Sequence, residues 1–293
     1  MPGTFTNPFS DTSLWNSPID TANTQYSSPA AEYNQDFRNM ALANTGIQAD
    51  DLFYFTKPES PVAHWDVVTF NDGGVFSSGA KDLATPTDIQ FVHGTDSWSI
   101  FTDPDGSHFY EVWGGSYDAA AGTYSAEYMV RGDFVNGTGF GQDGVGAGIR
   151  AAGASLLGGA VTWDQLESGT INHALPIELS PAQLKAGTDP ADQFVFPAVS
   201  VDSGSTELYT GSIPMGAHFA LPADVDIAAA GLTPEGATIA HAYQTYGGYV
   251  VDTAGATTSL AEVVGIPAAQ GDDFYNNVVH NDMAWLRDHL IMI

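Results

Sequence analysis

The sequence has no cysteine and few basic residues, and each shortage excludes a class of protein. Without cysteine, the chain has neither disulfide bonds nor thiolate metal ligands. Only 7 of its 293 residues are lysine or arginine, against 35 aspartates and glutamates, so the formal net charge is −28. Nucleic-acid binding requires a basic face that neutralises phosphates, so we expect no nucleic-acid partner. The sequence also lacks an apolar run of about 18 residues, so we expect no membrane insertion.

The excess of acidic residues is typical of proteins adapted to salty water. At molar salt the Debye length falls to about 3 Å, which screens the repulsion among surface carboxylates. An ordinary acidic secreted protein is the alternative. The first residues show no basic and apolar leader pattern, so either a leader was removed or export uses another route. We therefore expect a secreted protein or one on a cell or virion surface, in a high-salt environment.

Strand and turn patterns predict a mostly β chain that folds as one domain. Short strands split by turn residues fill 52–150, and TDSWSIFTDPDGSHFYEVWGG (95–115) is the clearest hairpin, since Asp-Gly suits a tight turn. Thr162, Ser180 and Thr233 are expected to cap short helices. We predict a single-domain β-sandwich or jelly roll with short peripheral helices. Its expected parts are an N-terminal arm and helix at 1–50, a core at 51–270 and a C-terminal helix at 271–293.

Candidate metal ligands are scattered along the chain. None of the eight histidines forms a close ligand pair such as HxH or HExxH, so we expect no zinc site. Turns around Asp72, Asp105 and Asp143 could offer oxygens to calcium, although Asp-Gly is also what a bare turn requires. We therefore expect no cofactor, with a structural calcium ion as the alternative and turn chemistry as the favoured interpretation of these turns.

Arg150 is conspicuous because the chain has only four arginines. It lies in GFGQDGVGAGIRAAGASLLGG (139–159), which lacks the lysine of a phosphate-binding loop and whose small residues allow backbone to pass close to backbone. A guanidinium in this context needs a carboxylate partner. That partner is either a structural acid or a substrate uronate.

Two later segments offer acid–base groups. INHALPIEL (171–179) predicts a strand that carries Asn172 and His173 on opposite faces. Tyr246 and Tyr249 flank a glycine pair that could present a phenol into a cleft. β-Elimination beside a carboxylate needs a base, an acid and a cation, which His173, Tyr249 and Arg150 would supply, while the Asn172 amide would hold the anionic intermediate. The alternative interpretation is a satisfied, buried histidine and tyrosines that pack on a sheet.

Aromatic and acidic residues around the hairpin suggest sugar binding. Trp65, Trp98 and Trp113 are candidate platforms for sugar rings, although core packing explains each equally well. Glu111 lies between aromatic residues on a predicted strand, and Glu127 or Asp133 could complete a glycosidase carboxylate pair with it.

Residues of about 85–265 resemble a family of exported actinobacterial proteins of unassigned role. The resemblance rests on four blocks in order, SLLGGAVTWDQLESGTINHALPIEL, QFVFPA, IPMGAHFALP and IAHAYQTYGGYVVD. The chain also resembles, more loosely, jelly-roll polysaccharide lyases of the alginate-lyase type. This second resemblance implies that Ile171-Asn172-His173 matches their histidine strand and Tyr246-Gly247-Gly248-Tyr249 their tyrosine strand. The chain departs from the lyase pattern in having no Gln before His173, no Lys after Tyr246 and no Ser/Thr-Glu-Leu after Arg150.

The sequence therefore predicts a carbohydrate-active protein. The favoured activity is a polysaccharide lyase that cleaves uronate-containing polysaccharide by β-elimination, and the expected partner is a polysaccharide or cell-surface glycan. A glycoside hydrolase with a carboxylate pair is one alternative. A non-catalytic glycan-binding or surface module is the other.

Overall fold

The structure is a computed structural model that describes residues 6–39, 45–48, 53–92, 96–267, 278 and 280–293. These residues form a mostly β protein with short helices. The strands are β1 (Thr45–Gln48), β2 (Phe53–Tyr54), β3 (Val62–Asp72), β4 (Val75–Ala84), β5 (Ser99–Thr102), β6 (His108–Trp113), β7 (Ser116–Asp118), β8 (Thr123–Asp133), β9 (Val161–Thr162), β10 (Leu175–Leu179), β11 (His218–Ala220), β12 (Gly248–Thr253), β13 (Thr258–Val264) and β14 (Ile291–Met292). The α-helices are α1 (Glu32–Arg38), α2 (Trp163–Ser168), α3 (Ser205–Leu208), α4 (Pro234–Thr245) and α5 (Met283–His289).

The strands form two mixed sheets. Sheet I has the order β1-β13-β10-β12-β11-β14, and β9 also pairs with β13. Sheet II has the order β2-β5-β6-β8-β3-β4, and β7 also pairs with β8. Parallel pairs occur in both, including β10 with β12 and β3 with β8. A jelly roll is built from antiparallel strands. The jelly-roll prediction is therefore wrong in strand direction, because both sheets are mixed.

Sheet II contains two local hairpins. In the first, β5 pairs antiparallel with β6 across a turn in which Gly106 has a φ of 71° and donates to the carbonyl of Asp103. A side chain is disfavoured at that φ, so glycine closes the turn at little cost. In the second hairpin, β3 pairs with β4 across a turn at Gly73 and Gly74. The first hairpin confirms the one predicted at 95–115.

The larger core cluster contains residues of both sheets and of the glycine-rich stretch. One buried cluster contains Ile100 and Phe109 of sheet II together with Leu175 and Val250 of sheet I. At Gly158 an added Cβ would come within 2.4 Å of the buried Trp15 ring, so glycine is required for this close approach. A second cluster, around Trp65 and Phe101, includes the residues that alternate with Ile100 and Phe109 along the strands of sheet II.

The peripheral segments add strands as well as helices. β1 falls in the predicted N-terminal arm and pairs with β13, while β14 falls in the predicted C-terminal helix and pairs with β11. The expected helices are present as α1 and α5, but residues 40–44 and 268–277 lie outside the described part of the chain. Within that part, no helix is long and apolar enough to cross a membrane.

The helix predicted at Ser180 is absent. The side chain of Gln183 accepts hydrogen bonds from the backbone and hydroxyl of Ser180, as at a helix start. The chain then makes bridges from Leu184 to Ile213 and from Lys185 to Gly211 instead of continuing as a helix. Tertiary pairing therefore overrides the local cap signal. The caps at Thr162 and Thr233 are confirmed at α2 and α4.

Candidate functional site: an acidic cleft between the sheets

A cleft of about 1000 Å³ is lined by residues of both sheets. We call it the acidic cleft and define it by Trp98, Trp113, Arg150, Glu178, Asp202 and Asp252. Trp113 lies on β6 of sheet II and Trp98 immediately precedes β5, whereas Glu178 and Asp252 lie on β10 and β12 of sheet I. The cleft therefore combines aromatic rings from one sheet with carboxyl groups from the other.

Arg150 is held in the cleft by an ion cluster. Its Nη1 lies 2.6 Å from Glu178 Oε1 and 4.0 Å from Asp252 Oδ2, and its Nη2 donates to Glu262. The guanidinium side chain is fully buried, and those of Glu178 and Glu262 nearly so. The predicted carboxylate partner of Arg150 is thus a set of acidic side chains of the protein itself. Buried charges of this kind require partners, because the interior does not solvate them.

Asp252 is a cleft carboxyl group that its surroundings perturb towards the neutral form. Its side chain keeps 17% of its surface exposed at the edge of the Arg150 cluster. Burial raises the pKa of Asp252 well above its ordinary value; Arg150 opposes the shift, while Glu178 and Asp202 add to it. Asp252 is therefore suited to holding a proton in the cleft.

Asp202 is the second cleft carboxylate with a defined setting. It accepts hydrogen bonds from the hydroxyls of Tyr209 and Thr253. Thr253 follows Asp252 on β12, so this bond holds Asp202 next to the strand that carries Asp252. Charge coupling between Asp202 and Asp252 contributes to the raised pKa of Asp252. The two carboxyl groups therefore act on each other.

Glu111 is not a substrate-binding residue, contrary to the sequence prediction. It is fully buried and accepts hydrogen bonds from the Ser155 hydroxyl and from the backbone N–H groups of Ile149 and Leu156. Burial raises the pKa of Glu111 to about 7 against the opposing effect of these donors. These donors lie on either side of Arg150 in the sequence. Glu111 therefore stabilises the segment that positions Arg150 in the cleft.

The three candidate tryptophans separate into two groups. Trp65 is fully buried and donates from Nε1 to the Thr85 hydroxyl, so the prediction that it binds sugar is wrong. Trp98 and Trp113 both line the acidic cleft, and Trp113 is 39% exposed. The Nε1 atom of Trp113 donates to Asp96 at 3.1 Å, which fixes the plane of the indole ring. These two tryptophans are available for stacking.

His173 does not lie on a strand, because β10 begins at Leu175. The imidazole is 2% exposed; its Nδ1 donates to the carbonyl of Ala174 and its Nε2 accepts from the Gln165 amide. Burial lowers the pKa of His173. Both ring nitrogens are thus used inside the protein, and the base expected for a lyase does not reach the acidic cleft. Asn172 lines a different, polar groove beside Gln165.

The tyrosine candidates are also placed away from the acidic cleft. Tyr249 is 7% exposed, with its ring edge-on to Trp15 and stacked on His218. Burial raises the pKa of Tyr249 to about 12. Tyr246 ends α4, and its carbonyl accepts from His218. Of the residues proposed for β-elimination, only Arg150 lines the cleft.

The remaining acidic candidates do not form a catalytic pair with Glu111. Glu127 is exposed on β8, and the Asp133 carboxylate accepts from the backbone of Val135 and Asn136 in a turn. In the part of the chain that the structure describes, no three acidic or histidine side chains are grouped so as to hold a metal ion. Calcium at the Asp-Gly turns stays a prediction.

Sequence reasoning missed four carboxyl groups of this site, Glu178, Asp202, Asp252 and Glu262. A signal existed for two of them. Glu178 interrupts LPIEL and Glu262 interrupts SLAEVV, and a charged residue inside an apolar strand requires a buried partner. The scarce arginine in the small-residue stretch was the partner to match with them. Neither Asp202 nor Asp252 carried a comparable signal.

Comparison of the chain with known protein families, with curated proteins and with solved structures finds no match.

Proposed function

We propose that the protein is carbohydrate-active and that its acidic cleft is a glycoside hydrolase site. The observation that carries this proposal is the coupling of Asp252 and Asp202 in a cleft that also presents Trp98 and Trp113. Glycosidases use two carboxyl groups, one protonated and one ionised, with environments that separate their pKa values. Aromatic rings bind the apolar faces of sugars. The cleft offers both kinds of group to one ligand.

The two carboxyl groups have different roles in this mechanism. Asp252 donates its proton to the glycosidic oxygen as the bond between that oxygen and the anomeric carbon breaks. Asp202 accepts a proton from the water that attacks the anomeric carbon. Tyr209 and Thr253 orient the Asp202 carboxylate through their hydroxyls. Arg150 binds Glu178 beside Asp252 and acts as a positioning residue.

The lyase prediction receives less support from the geometry. A uronate substrate needs a cation, and the Arg150 guanidinium is fully buried against Glu178 and Glu262. The proposed base His173 and proton donor Tyr249 are both buried outside the cleft. We therefore favour hydrolysis, while the resemblance to jelly-roll lyases stays a prediction.

The setting of this activity is also a proposal. We propose that the two sheets pack as a β-sandwich, supported by the buried cluster that contains residues of both. We further propose that the protein works outside the cell, or on a cell or virion surface, in salty water. The net charge of −28 supports this setting. Its partner there is a polysaccharide or a cell-surface glycan.

Turnover of a polysaccharide panel in molar salt tests the function. We expect new reducing ends from at least one polymer, with Asp252→Asn and Asp202→Asn each lowering the rate by about 10²-fold or more. Asp192→Asn is the matched control, since this exposed aspartate lies outside the cleft. Ultraviolet absorbance of an unsaturated product would favour a lyase instead. Glycan binding without any turnover would favour a non-catalytic module.

A further inference from the structure

The acidic cleft has more negative than positive groups. Among the described residues, its lining includes the carboxyl groups of Asp96, Glu178, Asp202 and Asp252, against one guanidinium, that of Arg150, and one imidazole, that of His280. This guanidinium is already bound by Glu178 and by Glu262. A ligand in the cleft therefore meets carboxylates that a second cation would stabilise. A uronate carboxylate would be repelled there.

An independent feature points to a hydrogen-bonding ligand at the same place. Thr45 lines the cleft and is only 2% exposed, yet its Oγ1 has no hydrogen-bond partner within the described chain. A buried oxygen of this kind is usually satisfied, so the Thr45 hydroxyl is available to a donor brought by a ligand.

The aromatic side of the cleft also suits a cation. Trp113 is 39% exposed, and Asp96 holds its Nε1. An indole face attracts ammonium groups, and the attraction increases when water is excluded. A metal ion fits less well, because no metal-ligating group of three acidic or histidine side chains exists in the described ranges. An ammonium group needs only scattered acceptors, and it can be attached to a sugar ring that stacks on tryptophan.

We infer that the acidic cleft binds glycans with free amino groups, of the glucosamine-polymer class, in preference to neutral or uronate-containing glycans. This inference rests on the proposed function, since it names the substrate class of the same cleft. The carboxylate of Asp202 receives the ammonium group, the Thr45 hydroxyl accepts a donor from the sugar, and Trp98 and Trp113 pack on its ring.

Binding of three matched tetrasaccharides to the full chain tests the inference. The probes are glucosamine tetramer, its fully N-acetylated counterpart and galacturonate tetramer, titrated in molar potassium chloride with tryptophan fluorescence as the readout. High salt suppresses non-specific attraction to the acidic surface. We expect the glucosamine tetramer to bind at least about tenfold more tightly than the acetylated one, and the galacturonate tetramer not to bind.

Variants test whether the preference for the free amine arises in the acidic cleft. Asp202→Asn should abolish the preference for the free amine, and Thr45→Val, which keeps the side-chain shape, should weaken binding of both the glucosamine and the acetylated tetramer several-fold. Asp192→Asn removes the same charge from an exposed site and should change nothing. A preference that survives Asp202→Asn and is unaffected by Thr45→Val would overturn the site assignment.

The outcomes separate this inference from the proposed function. Equal affinity for the glucosamine and acetylated tetramers, or tighter binding of the galacturonate tetramer, overturns the amino-sugar inference and leaves a glycan-binding cleft in place. Binding of none of the three, together with no turnover of the polymer panel, overturns both. Preference for the glucosamine tetramer without turnover supports the inference and contradicts hydrolysis.

Discussion

The buried carboxyl group of Glu111 makes folding stability depend on pH in a defined direction. Burial raises its pKa from the ordinary 4.5 to about 7. Below pH 4.5 the group is protonated in both the folded and the unfolded chain. Between pH 4.5 and about 7 the folded protein keeps the proton and the unfolded chain releases it, so the free energy of unfolding falls as the pH rises. Above that window the contribution is constant.

The size of this effect follows from the same two values. A rise in pKa from 4.5 to about 7 corresponds to roughly 3 kcal/mol of stability lost across the window. Glu111→Gln removes the titration. It also turns an amide N–H towards one of the three donors, so we expect a further loss of about 1–3 kcal/mol that does not vary with pH. The slope of stability against pH, rather than its absolute value, therefore isolates Glu111.

Urea denaturation at a series of pH values, followed by tryptophan fluorescence at constant ionic strength, measures that slope. Glu127→Gln is the matched control, because it removes the same charge from an exposed position. We expect the Glu111→Gln protein to lose less stability between pH 4.5 and 8 than the control, by roughly 3 kcal/mol. Parallel curves for the two variants would refute the reasoning, since they would mean that Glu111 titrates alike in the folded and unfolded chains.

Two further changes test the packing around the site. Arg150→Met leaves Glu178 and Glu262 buried without their cation, so we expect a loss of about 3–5 kcal/mol in denaturant titration, and an unchanged midpoint would contradict the ion cluster. Thr162→Ala removes the hydroxyl that caps α2 opposite Gln165, so the midpoint should fall by the equivalent of about 1 kcal/mol, whereas Thr162→Ser should retain most of the stability.

Features decided by neighbouring residues were predictable from the sequence. The Asp-Gly turn between β5 and β6 needs only a residue that tolerates positive φ, and Gly106 supplies it. The caps at Thr162 and Thr233 likewise depend on side chains within three residues. Ser180 shows the limit of such signals, because the same local pattern is overridden once Leu184 finds Ile213 as a partner.

Features decided by distant partners were not predictable. Strand periodicity indicates which residues face the core, but not that β3 lies parallel to β8 or β10 parallel to β12. The jelly-roll prediction failed for this reason. The prediction that His173 is a catalytic base has a related weakness. The imidazole is buried by Gln165 and by the chain near Trp15, and neither is next to His173 on a strand. A catalytic base must be exposed to substrate, and only the tertiary structure decides that exposure.

Acidic side chains in the interior have a different role from those on the surface. In the salty water for which we propose the protein is adapted, exposed charges are screened over about 3 Å, so the surface carboxylates exert little long-range attraction on a ligand. Buried and half-buried groups are screened much less. Glu178, Glu262 and the half-buried Asp202 therefore keep their electrostatic effect at high salt, whereas exposed groups such as Asp192 do not. Selection of a cationic ligand would then be a property of the cleft and not of the net charge, which is why the amino-sugar preference should persist in molar salt.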